Sequence, residues 1–139
     1  VHDLARARTS AELLDMARAY GIVPNEAEQQ APILLHGPVT AAMLKDMGMD
    51  DTETLEAVAC HTTGRAGMTP LDKVLFLADK LEEGKSKHSP ELAQVKRLLE
   101  QDPDLAVREL LKHQVARLRR MKAPLHPAML AALQDLEQR

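Results

Sequence analysis

The sequence is nearly devoid of aromatic side chains. Among its 139 residues, Tyr20 and Phe76 are the only members of the phenylalanine, tyrosine and tryptophan group. Proteins that bind single-stranded nucleic acid stack bases on several such rings, so this composition argues against that class. The chain also lacks an excess of positive charge, because its 18 lysine and arginine residues are outnumbered by 21 aspartate and glutamate residues, for a formal net charge of −3. Bulk binding of DNA or RNA needs a basic surface, and we therefore expect no nucleic-acid partner.

Cysteine and long apolar runs are equally rare. Cys60 is the single cysteine, which rules out a disulfide framework within these residues and fits a reducing compartment. No run of about 18 apolar residues occurs, so we expect no membrane span. The sequence also does not open with the charged and then apolar pattern of a signal peptide. We therefore expect a cytoplasmic protein without a membrane partner.

Helix signals recur along the chain, whereas strand signals are weak. A capping residue followed by proline is a strong helix start. It occurs at Thr69-Pro70, Ser89-Pro90, Asp102-Pro103 and His126-Pro127. The helix from Pro70 is expected to stop at Gly84, and the helix from Pro103 is expected to reach about Met121.

Apolar residues at helical spacing predict three earlier helices. We expect one capped by Ser10 and stopped by Gly21, one from about Pro38 to Gly48, and one capped by Asp51 or Thr52. A short polar connection separates the first two. The sequence therefore predicts one all-α domain over residues 1–139, a bundle of six or seven helices.

Four chain segments hold candidate metal ligands. They are the His2-Asp3 dipeptide, His36, His61 and Asp79. Imidazoles combined with carboxylates suit Fe, Mn, Co, Ni or Zn better than Ca or Mg. Structural alternatives stay open for each: the dipeptide is incidental, His36 caps the helix near Pro38, and His61 complements a helix C-terminus.

Asp79 lies in the middle of an apolar helix. It shares a face with Asp72 and Phe76, at the edge of an expected core stripe of Leu71, Val74, Leu75 and Ala78. A buried carboxylate needs a partner. That partner is either a metal ion or a cation such as Arg65.

A turn rich in threonine and glycine follows His61. The segment Thr62-Thr63-Gly64-Arg65 offers hydroxyls, backbone N–H groups and a guanidinium. That set of donors suits a phosphate oxygen, although turns of this composition are also common without a ligand.

The order His-Asp, His, His, Asp on an all-α chain resembles the HD superfamily of metal-dependent phosphohydrolases. The closer resemblance is to the YqeK family of HD-domain proteins. It covers nearly the whole chain. The matching segments are His2-Asp3-Leu4-Ala5-Arg6, Leu34-Leu35-His36-Gly37-Pro38-Val39, His61-Thr62-Thr63-Gly64-Arg65-Ala66-Gly67-Met68, Leu71-Asp72-Lys73, Ala78-Asp79-Lys80-Leu81-Glu82 and Leu125-His126-Pro127.

The resemblance implies a symmetrical diadenosine tetraphosphatase, a hydrolase that splits its substrate into two ADP. It implies that His2, Asp3 and Asp79 bind a divalent transition metal, expected to be iron, with manganese or cobalt as alternatives. Asp3 and Asp79 are then the catalytic residues. His36 and His61 would bind a second metal or the phosphates. The implied substrate contacts are Arg6, Thr62, Arg65, Lys85, Lys122 and His126.

Two departures from the family pattern stand out. The family has a further ligand histidine on a helix before the His-Asp pair, and this sequence has none there. Because residues 1–5 read like the end of a helix, we expect further residues, and the first helix, before Val1. The second departure is Lys85, where the family usually carries arginine; lysine keeps the charge but loses the bidentate fork.

Two other functions stay open at this point. One is a different HD-type activity on nucleotides, either a phosphohydrolase or a phosphodiesterase. The other is a helical nucleotide-binding module without catalytic activity. The sequence also leaves a homodimer open.

Overall fold

The computed structural model describes residues 2–81 and 89–139, and in this part of the chain it is all α-helical, as predicted. It forms two compact units, Val1–Thr63 and Gly64–Arg139. Gly84 and Lys85, an expected helix end and an expected substrate contact, lie outside the described residues. The expectation of one domain over residues 1–139 stays a prediction.

The first unit contains four α-helices and one 3-10 helix. Its core joins the N-terminal turn to α1, the 3-10 helix and α3 through the buried side chains of Ala5, Leu13, Ala17, Leu35 and Val39. Helix α3 also packs against α4. The elements are α1 (Ser10–Ala19), α2 (Glu26–Gln30), the 3-10 helix (Pro32–Leu35), α3 (His36–Asp46) and α4 (Thr52–Ala59).

The second unit contains four α-helices in the described residues. Helix α7 packs against α5, α6 and α8, so it is the central element of this unit. Its buried side chains include Val107, Leu110 and Leu111, which share one apolar cluster with Phe76. The helices are α5 (Pro70–Leu81), α6 (Pro90–Gln101), α7 (Pro103–Arg120) and α8 (Pro127–Glu137).

Side-chain caps explain most of the helix starts, and one of them differs from the sequence prediction. Thr9, not Ser10, caps α1: its side chain accepts from the Glu12 N–H, while Glu12 accepts from the Thr9 N–H. This reciprocal pair satisfies two N–H groups that the helix start leaves open. The hydrogen bond from the Thr9 backbone, followed by the Thr9 side chain, lowers the pKa of Glu12.

Two helices begin at positions that the sequence patterns did not predict. Asn25 and Glu28 form the same kind of capping box and start the short helix α2 within the expected polar connection. Helix α3 begins at His36 rather than near Pro38. The 3-10 helix runs directly into α3, so a side-chain cap is not needed there, and His36 does not act as one.

The buried face of α5 differs from the expected core stripe. Leu71 and Val74 are 37% and 63% exposed, whereas Phe76 and Asp72 are fully buried. Burial of a carboxylate is tolerated when it is paired and hydrogen-bonded. Arg65 supplies that pairing at 2.8 Å, which lets the face that carries the large Phe76 ring turn inward.

Within residues 2–81 and 89–139, no helix is both long enough and apolar enough to cross a membrane.

Candidate metal centre

The His2-Asp3 dipeptide lies on a chain of tight turns before α1. The Arg6 N–H donates to the Asp3 carbonyl at 3.0 Å, and the Arg8 N–H donates to the Ala5 carbonyl at 3.1 Å. Ala5 is fully buried, which fixes the end of this turn in the core of the first unit. His2 and Asp3 themselves remain about 30% exposed, at 29% and 31% of their side chains.

The rings of His36 and His61 are oriented by main-chain carbonyls. His36 Nδ1 lies 2.6 Å from the Ile33 carbonyl, and His61 Nδ1 lies 2.6 Å from the Val58 carbonyl. A carbonyl oxygen can only accept, so each Nδ1 carries the hydrogen. In the neutral rings, each Nε2 therefore presents a lone pair, which is the form that binds a metal.

Those two lone pairs converge on one carboxylate. The Nε2 atoms of His36 and His61 are 3.1 Å apart, and Asp3 Oδ1 lies 3.4 and 3.2 Å from them. Two neutral imidazole nitrogens that both present lone pairs cannot hydrogen-bond to each other. A proton or a metal ion is needed to make this approach favourable, and the carboxylate favours either cation.

Further donors surround the same point. His2 Nε2 is 3.3 Å from Asp3 Oδ2, and the His2 and His61 rings meet edge to face with centroids 5.1 Å apart. Single ligand atoms of His2, Asp3 and His61 lie within 4.8 Å of one another. Nitrogen and carboxylate donors of this kind fit a divalent transition metal.

Two predicted substrate contacts border this group. Thr62 Oγ1 lies 3.2 Å from His36 Nε2, and Arg6 Nη1 lies 3.9 Å from Asp3 Oδ2. His36 and His61 are buried, with side chains 5% and 0% exposed. The centre therefore has a buried imidazole side and a more open side that carries the dipeptide and Arg6.

A glycine allows the two buried histidines to meet. A Cβ atom on Gly37 would lie 2.7 Å from the Ala59 carbonyl oxygen and 3.1 Å from that of Val58. Helix α3 thus approaches the end of α4 at backbone distance, directly beside His36. This close approach brings His36 next to His61, which follows α4 by two residues.

Arg65 is paired with Asp72. Its Nε and Nη2 atoms both lie 2.8 Å from Asp72 Oδ2, which also accepts the Thr69 N–H at 2.9 Å. An ion pair between Arg65 and Asp79 stays a prediction. Asp72 explains why the turn after His61 carries an arginine.

Asp79 is a mostly buried carboxylate on α5. Its side chain is 12% exposed, and the Lys80 ammonium lies 3.6 Å from Oδ2. That ammonium also lies 4.0 Å from the centre of the Phe76 ring, so the lysine is held by the same helix. The environment of Asp79 is compatible with a role as a ligand, and that role stays a prediction.

The remaining expected contacts in the second unit lie near the start of α8. Lys122 has a positive φ of 54°, which ends α7 sharply. His126 caps α8, because its Nδ1 accepts the Ala128 N–H at 3.0 Å. His126 thus has a structural role, and substrate contact by Lys122 and His126 stays a prediction.

Comparison with known protein families decides the identity of the fold. The HD-domain family model matches residues 1–84, which include every ligand candidate. This chain is a member of the HD-domain family. The resemblance noted from the His-Asp, His, His, Asp order is confirmed.

Three curated relatives of this HD-domain protein carry the same name, symmetrical bis(5'-nucleosyl)-tetraphosphatase. The Bacillus subtilis protein is 32% identical over 91% of the chain, and the Halalkalibacterium halodurans protein is 29% identical over 97%. The Staphylococcus aureus protein is 34% identical over 62%. The chain spans 67%, 71% and 44% of the lengths of these three relatives, respectively.

A solved structure has the same fold. It is a Clostridium acetobutylicum protein described as a predicted HD superfamily hydrolase involved in NAD metabolism. The TM-score is 0.92, and the match covers 99% of this chain and 72% of that one. At 24% sequence identity, this similarity establishes the fold.

The sequence did not predict the structural roles of three residues. Gly37 sets the approach of α3 to α4, Asp72 holds Arg65, and Thr40 contacts the turn that carries the dipeptide. The glycine beside His36 was a signal for the first of these. The sequence placed Asp72 on the helix face of Asp79 and Phe76 without indicating its partner, and Thr40 lies in no recognisable pattern.

Proposed function

We propose that this HD-domain protein hydrolyses diadenosine tetraphosphate symmetrically to two ADP, with a divalent transition metal as cofactor. One observation carries the proposal: the Nε2 atoms of His36 and His61 converge on Asp3 Oδ1, with His2 beside it. The names of the three curated relatives supply the substrate class.

In this proposal the metal is held by His2, Asp3 and Asp79, and iron is the expected ion. His36 and His61 bind a second ion or contact the phosphates. When bound, such an ion acts as a Lewis acid that acidifies water and neutralises phosphate charge. Manganese and cobalt are the alternatives, because both accept the same nitrogen and oxygen donors.

The protein's own groups prepare the site for this ion and for a polyanion. The Ile33 and Val58 carbonyls keep His36 and His61 in the tautomer with Nε2 free of hydrogen. Asp3 supplies the negative charge at their meeting point. Its partial exposure leaves a route for substrate, whereas the buried rings exclude water from the other side.

Arg6 and Thr62 are the proposed phosphate contacts next to this centre. The guanidinium can donate two parallel hydrogen bonds to a phosphate, and the hydroxyl can donate one. Arg65, Lys85, Lys122 and His126 are the further proposed contacts to the nucleotide. Symmetrical cleavage adds water across the central P–O–P bridge, so one phosphorus gains the new oxygen and the other ADP leaves with the bridging oxygen.

The proposal is tested by product analysis. The purified chain, loaded with ferrous iron or manganese, is incubated with diadenosine tetraphosphate, and the nucleotides are separated by anion exchange. ADP as the sole product, lost on addition of a chelator, supports the proposal. ATP with AMP would contradict symmetrical cleavage. Orthophosphate released from a mononucleotide, or opening of a cyclic nucleotide, would favour the other HD-type activities.

The Asp79→Ala variant tests the proposed ligand set. We expect it to abolish hydrolysis while the circular dichroism spectrum keeps its helical signal. If the variant retained most of its activity, the assignment of Asp79 would be wrong. Nucleotide binding without any hydrolysis by the metal-loaded wild type would favour the non-catalytic module.

A further inference from the structure

Thr40 is a fully buried polar residue on α3 that the proposed chemistry does not use. Its hydroxyl oxygen accepts a hydrogen bond from the Ala5 backbone N–H at 3.0 Å, across 35 residues of sequence. Both residues are fully buried. A buried N–H group needs a partner, and Thr40 supplies it from a neighbouring helix.

The position of Thr40 links this bond to the candidate metal centre. Thr40 follows His36 by one helical turn, and residues four apart lie on the same helix face. Both contact the N-terminal turn: His36 Nε2 lies 3.4 Å from Asp3 Oδ1, and the Thr40 hydroxyl holds Ala5 two residues later. The turn is therefore fixed to α3 at two neighbouring points.

We propose that Thr40 is a positioning residue for the His2-Asp3 dipeptide. The effect of Thr40 on metal binding rests on the proposed function. The β-branched side chain has few rotamers inside a helix, so its hydroxyl is a rigid anchor. Anchoring Ala5 fixes where the preceding dipeptide meets His36 and His61. Residues that orient ligands in this indirect way typically change metal affinity about 10- to 100-fold when they are replaced.

The test compares Thr40→Val, which replaces the hydroxyl by a methyl group, with Thr40→Ser, which keeps the hydroxyl and loses the methyl group. Leu44→Ala, a core substitution one turn further along α3, is the control for a general loss of stability. Binding of Co²⁺ is measured from its visible spectrum. We expect Thr40→Val to weaken Co²⁺ binding by about tenfold or more, and Thr40→Ser to bind Co²⁺ nearly as tightly as the wild type. Leu44→Ala should bind Co²⁺ like the wild type.

Backbone amide exchange gives an independent measurement without metal. In the metal-free protein, the Ala5 amide should be protected in the wild type and in Thr40→Ser, and should exchange much faster in Thr40→Val. Equal protection in Thr40→Val would overturn the proposal. So would unchanged Co²⁺ affinity, or an equal loss of affinity in Leu44→Ala. A wild type that binds no Co²⁺ would contradict the proposed function, and the Ala5 amide would still decide whether Thr40 anchors the turn.

Discussion

Asp3 is the residue on which the site chemistry depends most. Its Oδ1 atom faces the Nε2 atoms of His36 and His61, and its Oδ2 atom faces His2. Without the carboxylate charge, three imidazole groups would meet with no anion to balance a bound cation. The contribution of Asp3 is therefore charge at a fixed position.

The substitution Asp3→Asn isolates that charge, because the amide has nearly the same shape. We expect hydrolysis to fall by roughly 100-fold or more, since a metal ion supplies several kcal/mol of charge stabilisation to such reactions. Asp15→Asn, at a side chain 78% exposed on α1, is the matched control and should retain full activity. Steady-state ADP release measures both variants. Activity of Asp3→Asn near the wild-type value would remove Asp3 from the proposed mechanism.

Gly37 decides how closely two helices approach. Replacing glycine by alanine inside a helix usually gains up to about 1 kcal/mol of stability. Here the added Cβ would lie 2.7 Å from a backbone carbonyl oxygen that cannot move independently. Overpacking of this kind costs about 1–3 kcal/mol, so the steric cost wins.

We therefore expect Gly37→Ala to lower both the free energy of unfolding and the metal affinity, because α3 and α4 must move apart beside His36 and His61. Urea denaturation and Co²⁺ titration measure the two effects. Ala42→Gly on the same helix is the control, since it changes only the helix preference. A Gly37→Ala variant more stable than the wild type would refute the close approach of the helices.

At the level of elements, the sequence predicted most helices because their starts are local. A cap, a proline and a first-turn acid all lie within four residues of one another at Ser89 and Asp102, and His126 has the cap and the proline. The short helix α2 was missed because five residues give no periodic pattern. The predicted capping residue of α1 was wrong by one position, because Thr9 and Ser10 are chemically equivalent candidates.

The buried face of α5 was not predictable from the helix alone. Its apolar residues cover more than half of the helix surface, so spacing cannot choose between the adjacent faces. The choice depends on Arg65, which neutralises Asp72 from outside the helix. The contact between Thr40 and Ala5 is equally invisible, because it spans 35 residues and has no sequence pattern.

Substitutions on the two faces of α5 should differ sharply in their effect. Phe76→Ala removes a fully buried ring and should cost about 3–5 kcal/mol of stability. Val74→Ala, at a side chain 63% exposed, should change stability by less than about 0.5 kcal/mol. Thermal or urea unfolding compares them. Similar losses for both variants would show that the face assignment of α5 is incorrect.

At the scale of the whole molecule, the HD-domain fold brings Asp3, His36 and His61 together from distant parts of the sequence. The fold and the family were accessible from the order of a few motifs. The geometry at Asp3, His36 and His61 required the structure, because only packing of α3 against α4 and the N-terminal turn reveals it. Whether Asp79 binds the metal is decided by the metal content of the Asp79→Ala variant.

Metal content is the most direct test of the central claim. The chain is equilibrated with ferrous iron or manganese under nitrogen, freed of unbound ions, and analysed by plasma mass spectrometry. We predict about one molar equivalent or more in the wild type and in Asp15→Asn, and a large loss in Asp79→Ala, because a missing ligand weakens a site built from so few donors. A folded wild type without metal, or Asp79→Ala with undiminished metal, would contradict the account.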